Sequence, residues 1–166
     1  MRLSPIVLFA YNRPGHIQQT IDALRKNHLA EESELFIFSD APRDKKAEED
    51  VSKVREYIKT IAGFKRTTVI ERDHNLGLSQ SIITGISELI AQYGRIIVLE
   101  DDLITSPYFL KFMNDGLSAY QEEDSVISIC GYMYPLNKKH ADTLFLRMTD
   151  CWGWATWKRG WRPRGR

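Results

Sequence analysis

Only two cysteines stand among 166 residues, Cys130 and Cys151, and they form neither a CxxC pair nor a Cys/His spacing suited to a metal. A disulfide framework and a zinc module are thereby excluded. Long apolar runs are missing too. No stretch approaches the ~20 consecutive apolar residues of a membrane span. The N-terminal run Pro5 to Tyr11 is too short for a signal h-region and is closed by Arg13. Nor does one sign of charge dominate: 23 Lys and Arg face 22 Asp and Glu, for a net charge of +1. Nothing in that balance draws the chain to nucleic acid or to an anionic membrane. These absences predict a reducing, cytoplasmic setting, with peripheral attachment at the inner face of a membrane left open. The remaining composition, 43% hydrophobic and 27% charged, is that of an ordinary globular protein. At this length one domain can bury roughly 70% of the surface of its unfolded chain.

What is present is a rhythm. Four short apolar runs punctuate the first hundred residues: PIVLFAY at 5–11, ELFIFSD at 34–40, RTTVIER at 66–72 and RIIVLED at 95–101. Between them apolar residues return at helical spacing. Ile17, Ile21 and Leu24 follow Pro14, a residue suited to a first helical turn because its missing N–H costs nothing there. The charged stretch 44–62 carries Val51, Val54, Tyr57, Ile58 and Ile61, and 79–93 carries Ile82, Ile83, Ile86, Leu89 and Ile90. Strand and helix alternating in this way predict repeated βαβ units, hence an α/β fold with a mainly parallel sheet and helices on both faces. Runs that are apolar throughout fit strands buried on both sides. Beyond about residue 125 the pattern changes. SVISICGYMYP (125–135) and TLFLRM (143–148) read as two further strands, and the last segment is rich in Trp and Arg.

In open α/β sheets ligands bind beyond the carboxyl ends of the strands. All four runs end in polar groups there: Tyr11-Asn12-Arg13, Ser39-Asp40, Arg72-Asp73-His74-Asn75 and Glu100-Asp101-Asp102. A single strand-end acid is usually solvated surface, but four coinciding on one rim point to a site. The acidic triplet is the sharpest of them. Partly desolvated carboxylates cost several kcal/mol each unless a positive charge compensates. Mg²⁺ or Mn²⁺ does so with one or two carboxylates, completing its shell with water and phosphate oxygens. Surface or helix-capping acids are the alternative. Extended geometry would point Glu100 and Asp102 one way and Asp101 the other. Arg13, on a loop leading into a helix N-terminus, suits either an anion or a surface pairing with a nearby carboxylate. His74 reads equally as a general base or a polar loop residue, and Asn75-Leu76-Gly77 as a turn.

Taken in order, PIVLFAYNRP, FSD at 38–40, RDHNLGLSQSI at 72–82, VLEDDLITSPYF at 98–109 and CWGWATWKRGW at 151–161 resemble the GT-A glycosyltransferases. The resemblance is to bacterial family-2-like sugar transferases and, more distantly, to N-acetylglucosaminyltransferase I. It implies a Rossmann-like three-layer sandwich and transfer of a sugar from a nucleoside diphosphate donor to an acceptor hydroxyl. By that resemblance Ala10, Tyr11, Asn12 and Arg13 line the nucleotide pocket, and Asp40 accepts a hydrogen bond from the base, a uracil N3–H. Asp73 or His74 lies near the ribose and diphosphate, with Gly77 and Ser81 of the same segment beside them. Glu100-Asp101-Asp102 stands as the DxD-type motif. Asp102 holds Mn²⁺ or Mg²⁺ on the diphosphate, Asp101 approaches the ribose or sugar, and Glu100 is counted with them among the nucleotide-sugar-binding residues. Trp152, Gly153 and Trp154 close over the donor sugar and begin the acceptor side, or pack as an apolar patch on the sheet. The expected partners are a nucleotide-sugar donor and a saccharide, lipid-linked or protein acceptor, with no nucleic acid.

One departure from the family's pattern matters. The general base of inverting members follows the GW segment, but between Asp150 and Arg166 no further acid occurs. Either Asp150 serves as the catalytic base, or the base lies beyond Arg166. In the second case residues 1–166 form a single donor-binding domain of a longer enzyme whose acceptor part lies elsewhere. A shortened, inactive nucleotide-binding or regulatory module is the competing expectation. A receiver-like signalling domain ranks lower, because the VISICGY run lacks a Lys at its end.

Overall fold

The computed structural model describes residues 3–135, 141 and 143–161. The four apolar runs become strands β1 (Ile6–Ala10), β2 (Glu34–Ser39), β3 (Arg66–Glu71) and β4 (Arg95–Glu100). The periodic stretches become helices α1 (Pro14–Arg25), α2 (Lys45–Ile58) and α3 (Leu78–Tyr93). After β4 come α4 (Phe109–Ala119), β5 (Ser128–Cys130) and β6 (Trp154–Trp157). Pro14 takes the first position of α1, and the Asp44 carboxylate caps α2 by accepting from the N–H groups of Lys46 and Ala47.

The strands form one sheet in the order β3-β2-β1-β4-β6-β5. β1 pairs in parallel with both β2 and β4, β2 with β3, and β6 runs antiparallel between β4 and β5. The chain steps outward from β1 to β3, then returns to the far side of β1 as β4. With right-handed crossovers, that reversal of direction moves the connecting helix to the other face. The side chains follow. Ile6, Leu8 and Ala10 of β1 pack with Ile17 and Ile21 of α1, Val54 and Ile58 of α2, and Leu110 and Met113 of α4. Val7 and Phe9, pointing the other way, pack with Ile86, Leu89 and Ile90 of α3. The expected α/β three-layer sandwich is therefore present, and its direction reverses between β1 and β4.

Three expectations need correction. β3 is half-buried rather than buried on both sides, because it lies at the sheet edge. TLFLRM is not a strand: Leu144, Phe145, Leu146 and Met148 are exposed, and the place beside β4 is filled by Trp154–Trp157 instead. Apolar composition in a short run cannot decide that competition. The run 125–135 pairs only at Ser128–Cys130. No helix among the described residues is long and apolar enough to cross a membrane.

Gly85 lets α3 approach the sheet. A methyl group there would stand 2.9 Å from a ring carbon of Phe9 and 3.1 Å from one of Phe38, two rings already stacked at 5.5 Å. Gly85→Ala should lower stability by about 1–3 kcal/mol through overpacking, offset in part by the ~1 kcal/mol that alanine contributes to a helix. A fall of several degrees in Tm is expected. An unchanged or raised Tm would contradict the close packing.

Candidate nucleotide-binding site

The reversal between β1 and β4 opens a crevice at the carboxyl ends of the strands, where ligands of such sheets bind. A cavity of about 370 Å³ lies there, between the β1 end, the β2–α2 loop and the start of α3. Of the residues expected from the sequence, Ala10, Tyr11, Asn12, Arg13, Asp40, Gly77, Ser81, Glu100 and Asp101 line it. A comparable hollow of about 380 Å³ at the opposite rim is lined by Tyr93, Arg95, Trp157 and Arg159. There the Arg159 guanidinium is spent on the carbonyls of Tyr120, Gln121, Glu123 and Val126, so that hollow is a seam of the fold.

At the acid end β4 stops at Glu100 and the chain turns through Asp101 and Asp102. The turn cancels the strand alternation expected for the triplet. Arg13 reaches both aspartates: one guanidinium nitrogen donates to Asp102 Oδ2 at 2.8 Å, the other to Asp101 Oδ1. Asp101 is buried and also accepts from the Tyr11 N–H at 3.3 Å, while its carbonyl accepts from the buried Thr20 hydroxyl at 2.8 Å. Burial pushes the Asp101 carboxyl above the usual carboxylate range, against the pull of Arg13 and the Tyr11 N–H. Glu100 pairs with Phe9 through the sheet, but its carboxylate has no hydrogen-bond or ion-pair partner among the described residues. Burial, then repulsion by Asp102 and Asp101, raises its pKa. The positive charge that the triplet requires is thus already present in Arg13, as the pairing alternative had it. Asp102 remains 40% exposed on its side chain.

At the other end Asp40 is buried and its carboxylate is occupied. Oδ1 accepts from the Ala41 and Leu76 N–H groups, both at 3.0 Å, and Oδ2 from Gly77 N–H at 2.9 Å. Asn75 adds a bond from Nδ2 to the Ala41 carbonyl at 2.7 Å. Together they pin the loop before α3 against the end of β2, so that Leu78 and Ser81 face the cavity. With this many backbone donors, little of the carboxylate's acceptor capacity is left for a base. Asp40 therefore shapes the cavity by holding its wall.

Other expected residues lie apart. Asp73 and His74 do not line the cavity, and neither do Asp102, Asp150, Trp152, Gly153 and Trp154. Arg166, the position past which the alternative catalytic base was expected, lies outside the described residues. Gly153, at φ +74°, breaks the extended chain between the two tryptophans. Trp154 packs beside Trp161 against the α3-side core, whereas Trp152 stays exposed. The sequence assigns no site role to Phe9, Arg43 and Leu78, which also line the cavity; Asn75 is named there only as one of the polar groups at the end of the third run and as part of a turn. Arg43 is set by its backbone N–H, which donates to the Tyr11 hydroxyl at 3.0 Å.

Residues 6–165 match the family model described as Glycosyl transferase family 2. The chain belongs to that family. Solved structures place it among the family 2 and related GT-A enzymes in fold. S. aureus TarS 1–349 matches with a TM-score of 0.57 at 14% identity, covering 94% of this chain and 47% of that one. The same protein in complex with UDP-GlcNAc gives 0.55 at 16% identity, covering 86% and 37%. The mannosyltransferase PcManGT from Pyrobaculum calidifontis, in complex with GDP-Man and Mn²⁺, gives 0.55 at 16%, covering 76% and 34%. The chain spans less than half the length of each of these. No curated protein sequence matches it.

In this family 2 chain the Arg13 pairing is expected to be structural as well as ligand-facing. Arg13→Met leaves buried Asp101 without its cation. Full burial would make that loss 3–5 kcal/mol, but Arg13 is 42% exposed, so about 1–3 kcal/mol is expected. Asp101→Asn in the same background should recover part of the loss. Denaturant unfolding in a double-mutant cycle measures the coupling, and a coupling near zero would contradict the pairing.

Proposed function

We propose that this chain is the donor-binding part of a glycosyltransferase that moves a sugar from a nucleoside diphosphate, a UDP-sugar, to an acceptor hydroxyl. The observation that carries this is the position of the cavity: it opens at the sheet's reversal, with an acid turn at one end and a loop-held helix start at the other. The base and ribose would enter between Tyr11, Arg43 and Asn75, and the diphosphate would lie toward Arg13 and the acids. The family resemblance and the nucleotide-sugar complexes of the structural neighbours support a nucleotide donor.

The donor set fits a divalent cation of the kind that the resemblance implies. Among the described residues no group of three or more His, Cys, Asp or Glu is placed to cage a metal. Mg²⁺ and Mn²⁺ take one or two carboxylates and complete their shell with phosphate oxygens and water. Asp102 supplies one exposed carboxylate, of which Arg13 engages Oδ2. When bound, such a cation would neutralise charge on the departing nucleoside diphosphate. The chain's own contributions are Arg13, which would share its guanidinium between Asp101 and the phosphates, and the β4 end, which holds the acids in place. A second reading, binding without turnover, is favoured by Asp150. Both of its oxygens already accept hydrogen bonds, from the Tyr134 hydroxyl at 2.9 Å and the Trp152 N–H at 2.8 Å. Each oxygen keeps a further acceptor site, but Asp150 does not line the cavity.

Calorimetry with UDP, with and without MnCl₂, tests the proposal. UDP should bind at least tenfold more tightly with manganese, and Asp102→Ala should abolish that gain while leaving the metal-free affinity nearly unchanged. Binding indifferent to both metal and Asp102 would sink the metal assignment, and no UDP binding at all would sink the nucleotide site. Release of free sugar from a donor would separate the enzyme from the binding module.

A further inference from the structure

The connection from β4 to α4 carries Asp102, and α1 with the residues just after it grips that connection along its length. The Thr20 hydroxyl donates to the Asp101 carbonyl at 2.8 Å. The His28 N–H donates to the Pro107 carbonyl at 2.9 Å, and the His28 ring stacks on Tyr108 with centroids 4.6 Å apart. Between these two ties stands Asn27, two residues past the end of α1 and 6% exposed. Its Oδ1 accepts from the Leu110 N–H at 2.9 Å. Its Nδ2 donates to the Thr105 hydroxyl oxygen at 3.0 Å and to the Ala23 carbonyl at 3.1 Å.

Capping alone does not account for these bonds. Tyr108, at the start of α4, offers that helix no side-chain cap. Asn27 supplies one from across the fold, because Leu110 is the second residue of α4 and carries an N–H that its own helix leaves unpaired. That task needs only Oδ1. The amide nitrogen is turned to Thr105, in the connection itself, and a buried amide satisfied at both ends fixes both partners. Between the held Asp101 carbonyl and the held Thr105 hydroxyl only Asp102, Leu103 and Ile104 remain. Leu103 packs against the core, which leaves Asp102 little backbone freedom.

Asp102 needs that restraint. Its neighbours Glu100 and Asp101 are acids too, and on a slack connection their repulsion would turn its exposed side chain outward to solvent. A cation that takes a single protein carboxylate completes its shell with water and phosphate oxygens. The place of that carboxylate therefore matters as much as its charge, and groups that orient a ligand tune the affinity of the metal. We propose that Asn27 is a positioning residue for the metal-binding carboxylate: through Thr105 and the start of α4 it holds the β4–α4 connection, and with it Asp102, in place. This rests on the glycosyltransferase reading and on its assignment of the cation to Asp102.

The test is calorimetry of the whole chain with UDP, with and without MnCl₂, in three variants. Thr105→Val removes the hydroxyl and leaves the cap on α4. Asn27→Leu removes both bonds. Asn27→Asp keeps the acceptor for Leu110 and lets the Thr105 hydroxyl turn and donate. Asn27→Leu should cut the manganese-dependent gain in UDP affinity about tenfold, the lower end of the range for groups that orient a metal ligand. Thr105→Val should cut it less, and Asn27→Asp should recover part of the loss. UDP affinity without metal is the internal reference, since general loosening of the fold lowers both affinities together and lost positioning lowers only the gain. If Asn27→Leu does not fold, Thr105→Val decides. A gain unchanged in Thr105→Val overturns the proposal, and so does an equal fall of both affinities in the folded variants. A native chain that binds UDP without any manganese-dependent gain overturns the metal assignment and this inference with it. A native chain with the gain, kept by the variants, overturns this inference alone.

Discussion

The ion pairing of Arg13 with Asp101 and Asp102 is the constraint on which the rim depends. β1 and β4 are neighbours in the sheet, but their carboxyl ends bring a cation and three adjacent acids together. Asp101 is 2% exposed, a burial that an isolated carboxylate would not tolerate. Arg13, the Tyr11 N–H and the Thr20 bond to the Asp101 carbonyl anchor the acid turn to α1 and to the end of β1. At Glu100, burial and repulsion by Asp102 and Asp101 outweigh the attraction of Arg13, so its carboxyl lies above the usual carboxylate range.

The opposite wall of the cavity is held by different means. Asp40 and Asn75 tie the loop before α3 to the end of β2 through backbone bonds, and Gly85 sets α3 down on Phe9 and Phe38. One wall is fixed by charge and the other by hydrogen bonds to the main chain. The cavity between them lies at the carboxyl ends of the strands, between the end of β1 on one side and, on the other, the start of α3, the helix on the other face.

The four parallel strands and the first three helices were legible because each is a local pattern, an apolar run or a 3.6-residue stripe, bounded by polar turns. The polar rim at the strand ends was legible for the same reason: strand ends fall where strands do. What escaped was decided by partners distant in sequence. TLFLRM and WATW are both plausible strands, and the sheet accepts only the one whose Ala155 and Trp157 fit under α4 and β4. The use of Asp40 as a loop anchor depends on Leu76 and Gly77, 36 and 37 residues away. Asn75 was legible as a polar strand-end group but not as an anchor of the loop, and Arg43 gave no signal. Arg13 was legible as a rim residue with two alternatives, and the turn at Asp101, invisible in strand periodicity, selected the carboxylate pairing.

The most direct measurement is a crystal structure of the chain grown with UDP and MnCl₂. The uridine should lie between Tyr11, Arg43 and Asn75, the diphosphate beside Arg13, and an anomalous manganese peak on the Asp102 carboxylate. UDP seated away from the β1–β4 crevice, or manganese bound elsewhere with Asp102 still held only by Arg13, would contradict that arrangement.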